Sequence, residues 1–165
     1  MRSPGDVGFY AYAFDTIAYA ITCRGPGLAN WEKALRGIHA AGGTSAGVPF
    51  RMMTKAGQVV EQVVLVTDGG ENTQPFFDQE YERYAQQFSI RPHVVVVRVP
   101  GDPDALSDRL RARGIAHDVL AVDASSDYYS QPTLLTLLSQ PSRADLLVEV
   151  MSTRLPTLGD LTTAA

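Results

Sequence analysis

Apolar residues recur along the chain in short blocks, and glycine-rich or polar segments separate these blocks. Residues 7–14 and 17–22 alternate in polarity on either side of Asp15-Thr16, a pattern that predicts a β-hairpin. Near-continuous apolar runs predict further strands that are covered on both faces, at residues 62–67, 93–99 and 118–122.

Apolar positions at helical spacing predict helices between these strands. Asn30 is a suitable N-cap for a helix that carries Trp31, contains His39 and ends before Gly42-Gly43. A later helix begins at Asp102-Pro103 in this interpretation. The pattern predicts helices at residues 48–59, 78–88, 102–113, 131–139 and 143–151.

The alternation of strands and helices predicts an α/β fold, a doubly wound and mostly parallel sheet flanked by helices. We expect one domain over residues 1–153 and a loose tail over residues 154–165. Ligands of such sheets bind beyond the carboxyl ends of the strands, where Asp15, Asp68 and Asp123 fall.

Composition narrows the class of protein. The 165 residues are 45% apolar and 19% charged, which is typical of a globular domain, and the net charge of −4 disfavours a nucleic-acid surface. A single Cys23 excludes an internal disulfide, so a cytoplasmic protein is expected. No apolar run is long enough to span a membrane, and we expect no membrane partner.

Two loops carry the candidate chemistry, Gly42-Gly43-Thr44-Ser45 and Thr67-Asp68-Gly69-Gly70-Glu71-Asn72. Their side chains are oxygen donors, which suit a hard divalent cation such as Mg²⁺ or Mn²⁺. Thr44 and Asp68 are the predicted ligands, with Ser45, Asp15 and Glu71 as a second tier.

These two loops and Ala13-Phe14-Asp15 stand in the order and at about the separations found in von Willebrand factor A (vWA) domains, which the sequence resembles from about residue 7 to residue 123. The resemblance implies a metal-ion-dependent adhesion site in which Thr44 supplies a hydroxyl and Asp68 a carboxylate. The protein would then bind a protein or an acidic ligand that completes the ion's coordination.

The chain departs from the vWA pattern because no Asp-x-Ser-x-Ser loop and no strand before it are found. With so few protein ligands, we expect only weak metal binding. The missing strand would lie between residues 7–14 and residues 62–67. We expect it to come from an upstream segment or a separate chain, or else the two strands close directly on each other.

Three further segments resemble the carboxy-terminal vWA-type half of bacterial Ro-like (TROVE) ribonucleoproteins: residues 68–73, residues 126–132, and residues 134–142 with their Leu-Leu-x-Leu-Leu-Ser-Gln-Pro-Ser pattern. Such proteins bind small RNAs mainly through an upstream helical ring. This resemblance implies that RNA binding belongs to an upstream domain that the sequence lacks.

An enzyme is the alternative class. Gly43-Thr44-Ser45-Ala46-Gly47 matches Gly-x-Ser-x-Gly, and a patatin-like or other serine acyl hydrolase would use Ser45 with Asp68. The segment before Gly43 is predicted to be helical rather than a strand, and no glycine-rich oxyanion loop precedes it, so we favour a binding protein without enzymatic activity.

Simpler roles are also open for these residues. Thr44 or Ser45 can serve as a helix N-cap, and Glu71 and Asp15 are expected to be solvated charges. The basic residues of the predicted helix at 102–113 fall on more than one face and are expected to be solvated, namely Arg109, Arg111 and Arg113.

Overall fold

The computed structural model describes residues 9–25, 27–39, 41–122 and 149–153. The chain divides into two compact units, Met1–Tyr129 and Ser130–Ala165. The strands and helices below belong to the first unit, and residues 149–152 of the second are helical. Asp123, the predicted helix at 131–139, most of that at 143–151 and the tail at 154–165 lie outside the described residues, and the predicted domain bounds stay a prediction.

The predicted hairpin is confirmed. Strands β1 (Ala11–Phe14) and β2 (Ala18–Ile21) pair antiparallel, with Phe14 opposite Ala18. Asp15 forms the reversal, because its carboxylate accepts the Ile17 N–H at 2.8 Å and its own N–H donates to the Ile17 carbonyl at 2.9 Å. A side chain that bonds the backbone two residues ahead is a common turn device of aspartate.

A parallel sheet follows, with strands in the order β3 (Gln62–Thr67), β4 (His93–Arg98) and β5 (His117–Ala121). All three agree within one residue with the predicted strands. The apolar run of the central strand β4 is explained by burial on both sides of the sheet. The four valines Val94–Val97 are all buried and point alternately to the two faces.

Helices α2 (Gly47–Lys55), α3 (Phe77–Phe88) and α4 (Ala105–Ala112) supply the core with large side chains. Phe50 of α2 is buried, and its ring centroid lies 5.1 Å from Phe77 and 4.7 Å from Tyr84 of α3. The cluster also contains Leu65 and Val94 of the sheet. Each fully buried side chain of this size contributes about 1.5–3 kcal/mol of transfer free energy, so this cluster holds α2 and α3 on the sheet.

Two predicted helix starts are wrong. Helix α1 (Leu28–Leu35) begins after Gly27, so Asn30 lies within the helix, and Gly37 with φ +97° follows its end. His39 is therefore outside the helix that was predicted to contain it. Helix α4 begins after Asp104 rather than Asp102, because the Asp104 carboxylate accepts the Ser107 N–H at 3.0 Å.

The described strands form two separate sheets, β1-β2 and β3-β4-β5. Because β1 does not pair with β3 among the described residues, the predicted direct closure of these two strands is wrong. Strand β3 is an edge of the parallel sheet, and its Val64 and Val66 are 40% and 62% exposed. The α/β class with a parallel sheet and flanking helices is nevertheless as predicted.

Within the described residues, no helix combines the length and the apolar character needed to cross a membrane.

Candidate functional site

The loop that precedes α2 lies against two other loops and holds them together. Ser45 donates its N–H to the Asp15 carbonyl at 2.9 Å, which joins this loop to the β1-β2 turn. The Thr44 carbonyl accepts hydrogen bonds from the N–H groups of Asn72 and Thr73 at 3.1 and 3.0 Å. The N–H group of Thr44 donates to Asn72 Oδ1 at 2.8 Å. The two loops singled out in the sequence, the second of which contains Asp68, are therefore neighbours.

Asp68 stands at the carboxyl end of β3, as predicted. Its Oδ1 accepts the Gly70 N–H at 3.0 Å, and the Thr67 hydroxyl lies 3.5 Å from the same atom. The backbone of the next loop approaches closely, since a Cβ on Gly101 would lie 2.4 Å from the Asp68 Cβ. Glycine at position 101 is thus a steric requirement. We call this edge of the molecule, formed by the loops at residues 42–45 and 67–72 together with Gly101, the rim.

Three charged residues that were not among the predicted site residues also lie at this rim. Arg98 donates from Nη2 to the Asp102 carbonyl at 3.1 Å, and its Nε lies 3.9 Å from Asp104 Oδ2. A Cβ on Gly70 would lie 2.9 Å from Asp102 Oδ2. The signal available in the sequence is the pair Asp102 and Asp104 just after a buried strand, a pattern that also predicts a helix start.

The oxygen atoms of Thr44 and Asp68 were the predicted metal ligands. Within the described residues, no group of three or more His, Cys, Asp or Glu is arranged to hold a metal ion. In the same part of the chain, neither the Thr44 hydroxyl nor Asp68 Oδ2 takes part in a hydrogen bond. Metal binding by these two oxygen atoms stays a prediction.

Glu71 is buried, so the expectation of a solvated charge is wrong. Its Oε1 accepts the N–H groups of Ala46 and Phe77 at 3.0 and 2.9 Å, and Arg109 Nη2 lies 2.7 Å from Oε2. Burial raises the pKa of the Glu71 carboxyl, and the Arg109 hydrogen bond opposes that rise. Glu71 therefore ties the starts of α2 and α3 to α4 and has no room for an external ligand.

The expectation of a solvated basic face on α4 is wrong for Arg109, whose side chain is 29% exposed. Arg109 contacts Glu71 and also stacks over the Phe76 ring, with 4.3 Å from its guanidinium carbon to the ring centroid. Arg113 Nε lies 2.6 Å from Oδ2 of Asp78, a buried carboxylate. Arg113 and Arg111 follow the expectation, since their side chains are 47% and 61% exposed, and Arg111 pairs with exposed Asp108.

Ser45 and Asp15 have local structural contacts. The Ser45 side chain is fully buried, and its hydroxyl donates to the Pro75 carbonyl at 2.6 Å. The segment from residue 41 to Ser45 contains no strand, whereas a nucleophile elbow follows one. The Asp15 carboxylate is engaged in its own turn. Of the predicted site residues, Thr44 and Asp68 keep oxygen atoms available at the rim.

In comparisons with known proteins, no family model, no curated protein and no solved structure matched the chain. The similarities to vWA domains and to Ro-like ribonucleoproteins accordingly stay predictions from the sequence motifs.

Proposed function

We propose that this protein is a metal-ion-dependent binding module, and that its rim takes a hard divalent cation together with an acidic group of its ligand. The observation that carries the proposal is the pair of free oxygen atoms, the Thr44 hydroxyl and Asp68 Oδ2, on two loops that three hydrogen bonds join. Hydroxyl and carboxylate oxygens are ligands that Mg²⁺ and Mn²⁺ accept. An acidic ligand would supply the coordination that the protein lacks.

The separation of the two sheets supports a partner that contributes a strand. The outer edge of β3 has no neighbour among the described strands, and such an edge offers a row of backbone donors and acceptors. A strand from an upstream segment or from another polypeptide can pair there, as peptides add to the sheets of other binding domains. In the vWA-like proposal this strand also brings the Asp-x-Ser-x-Ser loop to the rim.

The similarity to Ro-like proteins extends the proposal to RNA. Acidic residues outnumber basic ones by 18 to 14 in this chain, so we assign RNA binding to an upstream domain and protein or ligand binding to this one. The serine hydrolase alternative has less support, because the hydroxyl of Ser45 is buried and already donates to Pro75. A nucleophile must reach its substrate.

Calorimetric titration with Mg²⁺ tests the rim. We expect weak binding by the unaltered protein, with a Kd on the order of 1 mM, since most ligands are water. Asp68→Asn should weaken it about tenfold or more, and Thr44→Ala should weaken it less, because it removes a neutral ligand. Asp108→Asn, which removes an exposed carboxylate of α4, is the matched control and should leave Mg²⁺ binding unchanged.

A second titration uses the chain extended by its upstream segment. Tighter Mg²⁺ binding by the extended protein is the result that the missing loop predicts. Equal binding by both forms would contradict the missing-loop account, and equal binding by the Asp68→Asn variant would contradict the proposed site itself.

A further inference from the structure

An open groove of about 700 Å³ between α2 and α3 concentrates positive charge. Arg51 and Lys55 of α2 and Arg83 of α3 line it, and the only carboxylate among its lining residues is Glu80. The groove thus carries an excess of two positive charges, although the whole chain has a net charge of −4. None of the rim residues discussed above belongs to it.

Two guanidinium groups meet on one buried oxygen atom in this groove. Arg51 Nη2 lies 2.7 Å and Arg83 Nη1 lies 2.5 Å from Glu80 Oε1. The Glu80 side chain is 3% exposed, whereas those of Arg51 and Arg83 are 42% and 61% exposed. A buried carboxylate therefore holds two arginines side by side, and both arginine side chains stay partly exposed to solvent.

Stability of the fold does not require this much positive charge. One guanidinium is enough to neutralise Glu80, and a second cation beside the first adds repulsion. Lys55 adds a third cation, and it has no ion-pair partner among the described residues. A dianion in the groove would balance the excess charge, and paired guanidinium groups match the oxygens of a phosphate.

We propose that this groove binds the phosphate group of a phosphorylated side chain on a protein partner. The groove is much larger than a phosphate ion, and Thr54, Gln86 and Gln87 also line it with groups that can hydrogen-bond to a peptide backbone. No aromatic ring lines it, so it lacks the stacking surface on which single-stranded RNA or a nucleotide base would lie.

Fluorescence anisotropy with a labelled phosphoserine peptide and its unphosphorylated twin tests this proposal at constant ionic strength. We expect the phosphopeptide to bind at least tenfold more tightly than its twin. Arg83→Gln should remove most of that difference. Arg91→Gln, which removes an exposed arginine that pairs with Glu82 and does not line the groove, is the matched control and should preserve it. Thermal unfolding of each variant verifies that it is folded.

Competition experiments distinguish a phosphopeptide from inorganic phosphate and from RNA as the ligand of the groove. Displacement of the peptide by millimolar inorganic phosphate, with lower affinity than the peptide, supports a phosphate-centred groove that also contacts the peptide. Equal binding of both peptides, or unchanged binding by folded Arg83→Gln, would overturn the proposal. A single-stranded RNA that binds more tightly than the phosphopeptide through Arg83 would overturn it in favour of nucleic acid. These outcomes are independent of Mg²⁺ binding at the rim.

Discussion

Replacing Glu71 tests how the rim is held together, because this one carboxylate contacts three elements. In Glu71→Ala, the N–H groups of Ala46 and Phe77 lose their acceptor, whereas Arg109 keeps only its hydrogen bond to the Glu71 carbonyl. Each buried N–H group left without an acceptor costs about 1–3 kcal/mol. This is a large part of the roughly 5–15 kcal/mol that stabilises a typical domain. We therefore expect Glu71→Ala to be largely unfolded or strongly destabilised.

Glu71→Gln separates charge from hydrogen bonding. The amide oxygen can still accept the two N–H groups, whereas the amide nitrogen faces Arg109. We expect a loss at pH 7 well below that of Glu71→Ala, because the two backbone bonds are kept and the burial of the Glu71 charge offsets the lost bond to Arg109. The comparison of the two variants measures how much of the effect is due to the backbone contacts.

The pH dependence follows from the pKa of Glu71, which burial raises above its ordinary value of 4.5. The folded protein then holds a proton at pH values where the unfolded chain has released it. Stability from Glu71 is fully present below pH 4.5 and declines as the pH rises through the raised pKa. Arg109 and, through it, Asp78 are the charged neighbours, and Arg113 balances Asp78.

Urea unfolding followed by circular dichroism at pH values from about 4 to 7 measures this effect. The free energy of unfolding of the unaltered protein, minus that of Glu71→Gln, should fall as the pH rises. A difference that rises with pH would refute the reasoning, because it would mean that the ion pair with Arg109 outweighs burial.

Three other substitutions test the packing of buried groups. Ser45→Ala should lower the free energy of urea unfolding by about 1–2 kcal/mol, because the Pro75 carbonyl loses its donor. Ser107→Ala should be neutral or slightly stabilising, since the buried Ser107 Oγ has no partner among the described residues. Hydrolysis of a nitrophenyl ester that disappears in folded Ser45→Ala would instead establish the hydrolase alternative. Gly47→Ala should cost about 3 kcal/mol or more in the same unfolding assay, because its Cβ would lie 2.3 Å from the Pro75 carbonyl oxygen; a loss below about 1 kcal/mol would show that the two segments separate easily.

The strands were predictable because burial leaves a direct mark on their composition. β4 is covered on both faces and is apolar at every interior position, and the hairpin strands pair on either side of the predicted turn at Asp15. Helix starts were less predictable, since several polar residues compete for the cap. Asp102, Pro103 and Asp104 all favour a start, and only the bond from Ser107 to Asp104 decides between them.

The two loops that carry Thr44 and Asp68 were recognisable in the sequence, because clusters of glycine and oxygen-bearing residues are a local signal of loops, and the structure has them as neighbours. The burial of Glu71 was not predictable, because whether an acidic side chain is buried is not a local property of the sequence. Its partner Arg109 lies 38 residues further along the chain. Neither loop composition nor helical periodicity reveals that these two residues meet.

The buried carboxylates of α3 set the alignment of the helices. Asp78 pairs with Arg113 at the end of α4, and Glu80 pairs with Arg51 of α2. Shifting α3 along its axis by one turn, about 5.4 Å, would leave its aromatic side chains in an apolar layer but would separate both acids from these partners. Separation from Arg113 would leave the buried Asp78 carboxylate without this partner, at a cost of about 3–5 kcal/mol, whereas Glu80 would keep Arg83 of its own helix. The Asp78–Arg113 ion pair therefore disfavours an alignment that apolar packing alone would tolerate.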